Sequence, residues 1–151
     1  LMSTEVRMAS QVSPYLPGTN ASLSNCASSL EVTDNSVSFL ITHDDESAGL
    51  RTYYVAYAFD ETTKELSRGA VETPSANTCS LPSSHPLDSD NLVVLAKNIV
   101  KTDYDGDGSQ EPFVSFENKK LIFNFGVEVR GQGEMKIVQK MHTGIFMRNH
   151  N

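Results

Sequence analysis

The sequence predicts an α+β fold, in which a truncated N-terminal helix packs on antiparallel β-sheet. Three observations indicate this fold: an apolar stripe at the start of the chain, period-two alternation from about residue 30, and polar turns between the alternating segments. With 151 residues the chain is long enough for one domain with its own core. We therefore expect a single globular domain over residues 1–151.

The N-terminal stretch MSTEVRMASQV, residues 2–12, is interpreted as a short helix. Met2, Val6 and Met8 lie close to one stripe at helical spacing. Pro14 and the following LPGTN end the helical pattern. The pattern starts at residue 1 without a capping residue, so residues 1–13 are interpreted as the remnant of a longer helix.

Two alternating segments predict the first strands. In SVSFLIT, Val37, Phe39 and Ile41 point to one side, as in a half-buried strand. The acidic HDDESAG that follows is expected to be a loop. RTYYVAYAFD and ELSRGAV alternate on either side of the polar DETTK, which predicts a hairpin over 52–71.

The second half of the chain begins with a long connection. Residues 72–90 carry three prolines and no periodicity, which is typical of a long surface loop. NLVVLAKNIV then offers a helical turn or a strand, continuing as a strand through Ile99. FVSFENKKLIFNFGVEVRG predicts a hairpin that bends at Asn118 and Lys119, and MKIVQKMHTGIFMRN predicts one or two further short strands.

The charge balance excludes some partners. The net charge is −7, and the 12 basic residues are scattered, whereas phosphate binding needs clustered Lys and Arg. We therefore expect no nucleic-acid partner. The sequence also has no apolar run of about 18 residues that could cross a bilayer.

The two cysteines, Cys26 and Cys79, lie in the polar stretches LSNCASS and ANTCSLP. Cysteines in polar loops suit a disulfide formed in an oxidising compartment. Two free surface thiols, or a lone redox pair, are the alternatives.

The stretch DYDGDGSQE predicts a cation loop. Asp103, Asp105 and Asp107 occupy positions 1, 3 and 5 of a calcium-loop pattern, glycine follows at position 6, and Glu111 stands at position 9. Position 12 is Val114 rather than glutamate, and the flanking residues favour strands, so this is not an EF-hand. A Ca²⁺ site formed by these four carboxylates and a solvated acidic turn without metal both remain open.

Catalysis has no signal in this sequence. No nucleophile elbow, phosphate loop or dinucleotide fingerprint occurs. We therefore expect a protein that is not an enzyme.

Three stretches, in order, are similar to the globular part of minor type IV pilins and type II secretion minor pseudopilins, in the W-type and J-type group. They are YYVAYAFDETTKELSRG at 53–69, LVVLAKNIVKTDYDGDG at 92–108, and MHTGIFMRN at 141–149. The resemblance covers roughly residues 50–149. The leader peptide and long apolar helix of that group do not occur in the sequence, as expected for a soluble domain cut from its helix.

The resemblance implies a non-catalytic subunit that takes part in assembly, priming or tip capping of a pilus or pseudopilus. Its partners would be other minor subunits, and it would contact the membrane only through the missing helix. Its location would be the periplasm or cell surface, after anchoring in the inner membrane. The alternative is a secreted, calcium-stabilised, β-rich adhesion or binding module.

Overall fold

The computed structural model of this chain describes residues 31–45, 49–72, 84–118, 120–131 and 136–146. Regular structure in these residues is almost entirely β. The strands are β1 (Glu31–Val32), β2 (Ser36–Asp45), β3 (Gly49–Asp60), β4 (Glu65–Glu72), β5 (Leu92–Lys97), β6 (Ile99–Val100), β7 (Val114–Glu117), β8 (Lys120–Arg130) and β9 (Lys136–Phe146). A 3₁₀ helix, Ser89–Asn91, precedes β5.

Sheet A contains the first five strands in chain order, β1-β2-β3-β4-β5, each antiparallel to the next. The period-two patterns set its register: Phe39 lies opposite Val55, which in turn lies opposite Ala70. The predicted hairpin over 52–71 is confirmed. The predicted acidic loop is shorter than expected, because β2 continues to Asp45 and β3 begins at Gly49.

Sheet B is built around β8. Strand β9 pairs with β8 along its whole length on one side, while β7 and β6 pair with its two halves on the other. The predicted bend at Asn118 is confirmed, and Asn118 has a φ of 50°. Asn98, with a φ of 62°, is the single residue that carries the chain from β5 in sheet A to β6 in sheet B.

The two sheets share one apolar core, so the described residues form a β-sandwich. Phe113 is fully buried, and its ring lies 5.6 Å from that of Phe59 in sheet A and 5.9 Å from that of Phe123 in sheet B. Each fully buried side chain of this size stabilises the fold by roughly 1.5–3 kcal/mol. The core side chains are Val37, Phe39, Ile41, Val55, Tyr57, Phe59 and Leu66 from sheet A, with Ile99, Phe113, Val114, Leu121, Phe123 and Ile145.

The prediction of an α+β, pilin-like fold is therefore wrong. It assumed that a helix covers the inner face of the sheet, whereas within the described residues sheet B covers sheet A and no α-helix occurs. The alternating segments form enough strands to build two sheets, and each sheet buries the apolar face of the other. Residues 1–13, where the helix was predicted, lie outside the described residues.

The outer face of sheet A is also partly covered. Residues 84–90, from the predicted 72–90 loop, lie on it, with Pro86 buried and the His85 ring 5.4 Å from that of Tyr54. Gly69 on β4 allows this contact, because a Cβ there would stand 1.6 Å from the Pro86 carbonyl oxygen. The hydroxyls of Ser38 and Tyr54 lie 2.9 Å apart beneath this segment.

Strands β5 and β9 carry exposed apolar side chains. Val93 on β5 is 60% exposed and Phe146 on β9 is 63% exposed. Neither strand has a second neighbour among the described residues. No helix in this part of the chain has the length and apolar character needed to cross a membrane.

Candidate metal centre

The acidic loop, residues 103–111, connects β6 to β7 and is wound around the carboxylate of Asp103. The Gly106 N–H donates to Oδ1 of Asp103 at 2.6 Å, and the Gly108 N–H donates to Oδ2 at 3.0 Å. Both glycines have positive φ, 82° and 94°, which suits residues without a Cβ. The alternation of Asp and Gly thus produces a tight coil with its amides directed at one carboxylate.

Glu111 closes the loop. Its backbone N–H donates to the Thr102 carbonyl at 3.1 Å, and its carboxylate accepts the Tyr104 N–H at 2.7 Å and the Asp105 N–H at 3.0 Å. These bonds, the Tyr104 bond above all, hold the pKa of Glu111 below its usual value, although burial and the neighbouring Asp103 charge act in the opposite direction. The group is therefore a carboxylate at neutral pH.

Three carboxylates converge in this coil. Asp103, Asp105 and Glu111 can each present an oxygen so that all three ligand atoms lie within 4.8 Å of one another. Asp107, the fourth residue of the predicted set, is not part of this group, and its Oδ1 accepts the Ser109 N–H at 2.7 Å. The converging oxygens could bind a metal ion.

No basic side chain neutralises these three carboxylates within the described ranges, where all ion pairs join other residues. The Lys140 ammonium reaches the loop, but it donates to the backbone carbonyl of Asp103. Each carboxylate oxygen has more than one lone pair, so those that accept an N–H can still coordinate a cation. The charge and the donor chemistry of the loop both fit a hard divalent cation.

Sheet B holds the loop through the β8–β9 pair. The Tyr104 ring stacks on the ring of His142 in β9, with centroids 4.2 Å apart and planes at 17°. Nδ1 of His142 donates to Oδ1 of Asn124 in β8 at 2.5 Å, and Nδ2 of Asn124 donates to the Pro112 carbonyl at 3.3 Å. Both ends of the loop are thereby fixed to the same pair of strands.

The sequence pattern found the acids of this centre but missed its anchors. Tyr104, Asn124 and His142 meet only because Asn124 lies opposite His142 in the β8–β9 register. Residues about 20 positions apart in the sequence form no local pattern from which their contact could be predicted. Cys26 and Cys79, the predicted disulfide, lie outside the described residues.

Comparison with known proteins identified no relative of this chain. No family model matches the chain, and no curated protein or solved structure matches it either. The interpretation of the site therefore depends on its own chemistry.

Proposed function

We propose that this chain is a non-catalytic β-sandwich binding module that is stabilised by Ca²⁺ in the acidic loop. The observation that supports it is the convergence of Asp103, Asp105 and Glu111 without a neutralising basic side chain within the described residues. Carboxylate oxygens at such distances repel each other, and a cation removes that repulsion. In this proposal the ion is structural.

Calcium suits the site better than magnesium. Ca²⁺ accepts six to eight oxygen ligands in flexible geometry, whereas Mg²⁺ requires near-ideal octahedral geometry and keeps most of its water. Asp105 is exposed, and Asp103 and Glu111 are half-buried, so protein and water oxygens can share the coordination shell. Weak sites of this kind operate at about 0.1–1 mM Ca²⁺, which is the extracellular range, so an extracellular or periplasmic location is part of this proposal.

A bound ion would stabilise more than the loop. Asp103 and Glu111 stand at its two ends, and Tyr104 connects it to His142 on β9. An ion held by both ends would therefore fix β9, whose outer edge and apolar side chains are available for contact with a partner protein. This is how the proposed calcium site would support binding.

The test is thermal unfolding of the chain in the presence of a chelator and in millimolar CaCl₂. We expect Ca²⁺ to raise the melting temperature of the wild type, with a gain of about 1.4 kcal/mol at a concentration ten times the Kd. Asp105→Asn, which removes one charged ligand, should abolish most of the shift. Mg²⁺ at the same concentration should give a smaller shift.

Glu117→Gln is the matched control, because Glu117 is an exposed carboxylate at the end of β7, away from the cluster. It removes the same unit of charge and should keep the full calcium shift. An equal loss in both variants would indicate general charge screening and would contradict the proposal, as would a wild type that does not respond to Ca²⁺.

A subunit role in a pilus or pseudopilus is a second proposal, supported by the sequence resemblance and by the exposed apolar side chains of β5 and β9. Apolar edge strands are suited to contacts between subunits.

The codons upstream of Leu1 distinguish the two proposals. A short basic leader followed by a glutamate-bearing apolar stretch of about 20 residues would favour assembly. A conventional signal peptide would favour the binding module.

A further inference from the structure

Three side chains from separate segments meet at one end of the sandwich. Asn35 lies in the turn between β1 and β2, Glu61 in the turn between β3 and β4, and Lys101 directly after β6. Oε1 of Glu61 accepts the side-chain amide of Asn35 at 2.9 Å and contacts Nζ of Lys101 at 2.5 Å. One carboxylate oxygen thus bridges an amine of sheet B and a carboxamide of sheet A.

The backbone holds these groups in place. The Asn35 carbonyl accepts the Phe59 N–H at 2.8 Å, and the carbonyl of the preceding Asp34 accepts the Phe113 N–H at 2.8 Å. The backbone of residues 34–35 is therefore hydrogen-bonded to both core phenylalanines. Its Oδ1 is buried and has no hydrogen-bond partner.

The amine and the carboxylate differ in exposure. The Lys101 side chain is only 18% exposed, whereas Glu61 is 54% exposed. Both line a notch that they share with Phe59, Lys64, Ile99, Val100 and Gln110. Hydrogen bonds from Lys101 and then from Asn35 lower the pKa of Glu61, so this group is a carboxylate at neutral pH, in contact with both reacting side chains.

We propose that Lys101 and Asn35 form an intramolecular isopeptide bond, with Glu61 as the group that transfers the protons. This modification is separate from the calcium site and does not depend on it. Its reactants are the amine of Lys101 and the carboxamide of Asn35, whose nitrogens both contact Oε1 of Glu61.

The reaction needs no oxidant and no co-reactant. Glu61 takes a proton from the Lys101 ammonium, and the lone pair of the neutral Nζ attacks Cγ of Asn35. The Nζ–Cγ bond forms and the Cγ–Nδ2 bond breaks. The attacking nitrogen loses a second proton, which Glu61 transfers to Nδ2, so that Nδ2 leaves as ammonia. This ammonia also accepts the proton that Glu61 first took from Lys101, and it departs as ammonium. The chain is therefore lighter by one ammonia and has lost the positive charge of Lys101.

The bond would connect the sheets covalently. Asn35 belongs to the turn at the edge of sheet A, and Lys101 follows the first strand of sheet B. A crosslink between these positions closes a long loop of chain, which constrains the unfolded state. The crosslinked protein would therefore resist complete unfolding and migrate faster in denaturing gels than an uncrosslinked variant.

The experiment is intact-mass spectrometry of the folded, purified chain after denaturation. We expect the wild type to be lighter than its sequence by one ammonia, and digestion to yield a branched peptide joining the Asn35 and Lys101 segments. Lys101→Arg and Asn35→Ala should each have their full sequence mass. Glu61→Gln should slow the loss of ammonia at least tenfold, which is within the usual contribution of a positioned proton-transfer group.

Lys97→Arg is the control, because Lys97 contacts the Glu65 carboxylate at 2.8 Å and is not part of the proposed reaction. It should keep the wild-type mass loss. An asparagine can also lose ammonia alone by cyclising onto its own backbone, and that loss would persist in Lys101→Arg. A persistent loss of this kind, or a wild type of full sequence mass after prolonged incubation, would overturn the proposal.

Discussion

Two acidic turns of this protein use the same backbone device and differ in how their charge is balanced. In the turn at residues 60–64, Oδ1 of Asp60 accepts the N–H groups of Thr62 and Thr63 at 2.7 and 3.2 Å. In the acidic loop, Asp103 accepts the N–H groups of Gly106 and Gly108. Each turn is thus organised by one aspartate that binds two backbone amides.

The difference lies in the basic side chains. Beside Asp60, Glu61 contacts Lys101, and Lys64 contacts Glu128 at 2.9 Å. In the acidic loop, the three converging carboxylates have no such partner among the described residues. A turn whose carboxylate is paired with a lysine in the folded structure needs no ion from solution, whereas carboxylates without such a partner could bind a cation. The density of acidic residues alone does not distinguish the two.

The largest effect should come from Asp103→Ala compared with Asp60→Ala, since each variant removes a carboxylate that accepts two backbone N–H groups. We expect Asp103→Ala to lower the free energy of unfolding in Ca²⁺ by about 1–3 kcal/mol, because charged hydrogen bonds and a metal ligand are lost together. It should also abolish the calcium response. Asp60→Ala should destabilise the chain equally with and without Ca²⁺, as measured by urea unfolding. A calcium response that disappears in Asp60→Ala would remove the distinction between the turns.

A smaller effect is expected from Gly108→Ala. Gly108 has a φ of 94°, and no atom lies within 4 Å of where a Cβ would stand, so the substitution strains the backbone without a steric clash. The cost is about 1–2 kcal/mol. Because the Gly108 N–H orients Asp103, the Kd for Ca²⁺ should also rise. Calcium titration followed by intrinsic tyrosine fluorescence would measure it, and an unchanged Kd would show that this amide does not organise the site.

The smallest effect concerns Glu128, the partner of Lys64. Hydrogen bonds from Lys64 and then Lys136 lower its pKa from 4.5 to about 2. Since the folded pKa is the lower one, the stabilisation is complete above pH 4.5 and is lost as the pH falls from 4.5 towards 2. In Glu128→Gln we expect a stability that declines less steeply over this interval, measured by denaturant midpoints. A Glu128→Gln curve parallel to that of the wild type would contradict the lowered pKa of Glu128.

The sequence predicted strands well and their assembly poorly. Alternation placed Val37, Phe39 and Ile41 on one face of a half-buried strand. The structure packs that face into the core and also buries Ser38 and Leu40 on the other face. The α+β class failed because an apolar stripe of a few residues was taken as the cover of the sheet. The true cover of the described core is sheet B, whose pairing of β6 with β8 joins residues far apart in the chain. Local periodicity carries no information about such pairing.

The acidic loop shows the same division. Its aspartates and glycines were evident from their spacing, because each acts on amides two to five residues away. Glu111, predicted as a ligand from its place in the loop pattern, lies in the same carboxylate cluster as Asp103 and Asp105. The exclusion of Asp107 and the stacking of Tyr104 on His142 were not predictable, because they depend on side-chain direction and on the register of β8 with β9.

The passage of the chain from sheet A to sheet B at Asn98 determines the order in which the strands around the core are synthesised. Among the described residues, 31–97 contain the strands of sheet A and 99–146 contain those of sheet B, so one residue, Asn98, separates the two sheets in the chain. As the ribosome synthesises the protein from its N-terminus, the inner face of sheet A is made before any of the strands that cover it. Ile145, a core residue, comes from the last described strand. The core between the two described sheets is therefore completed only after β9 has been synthesised.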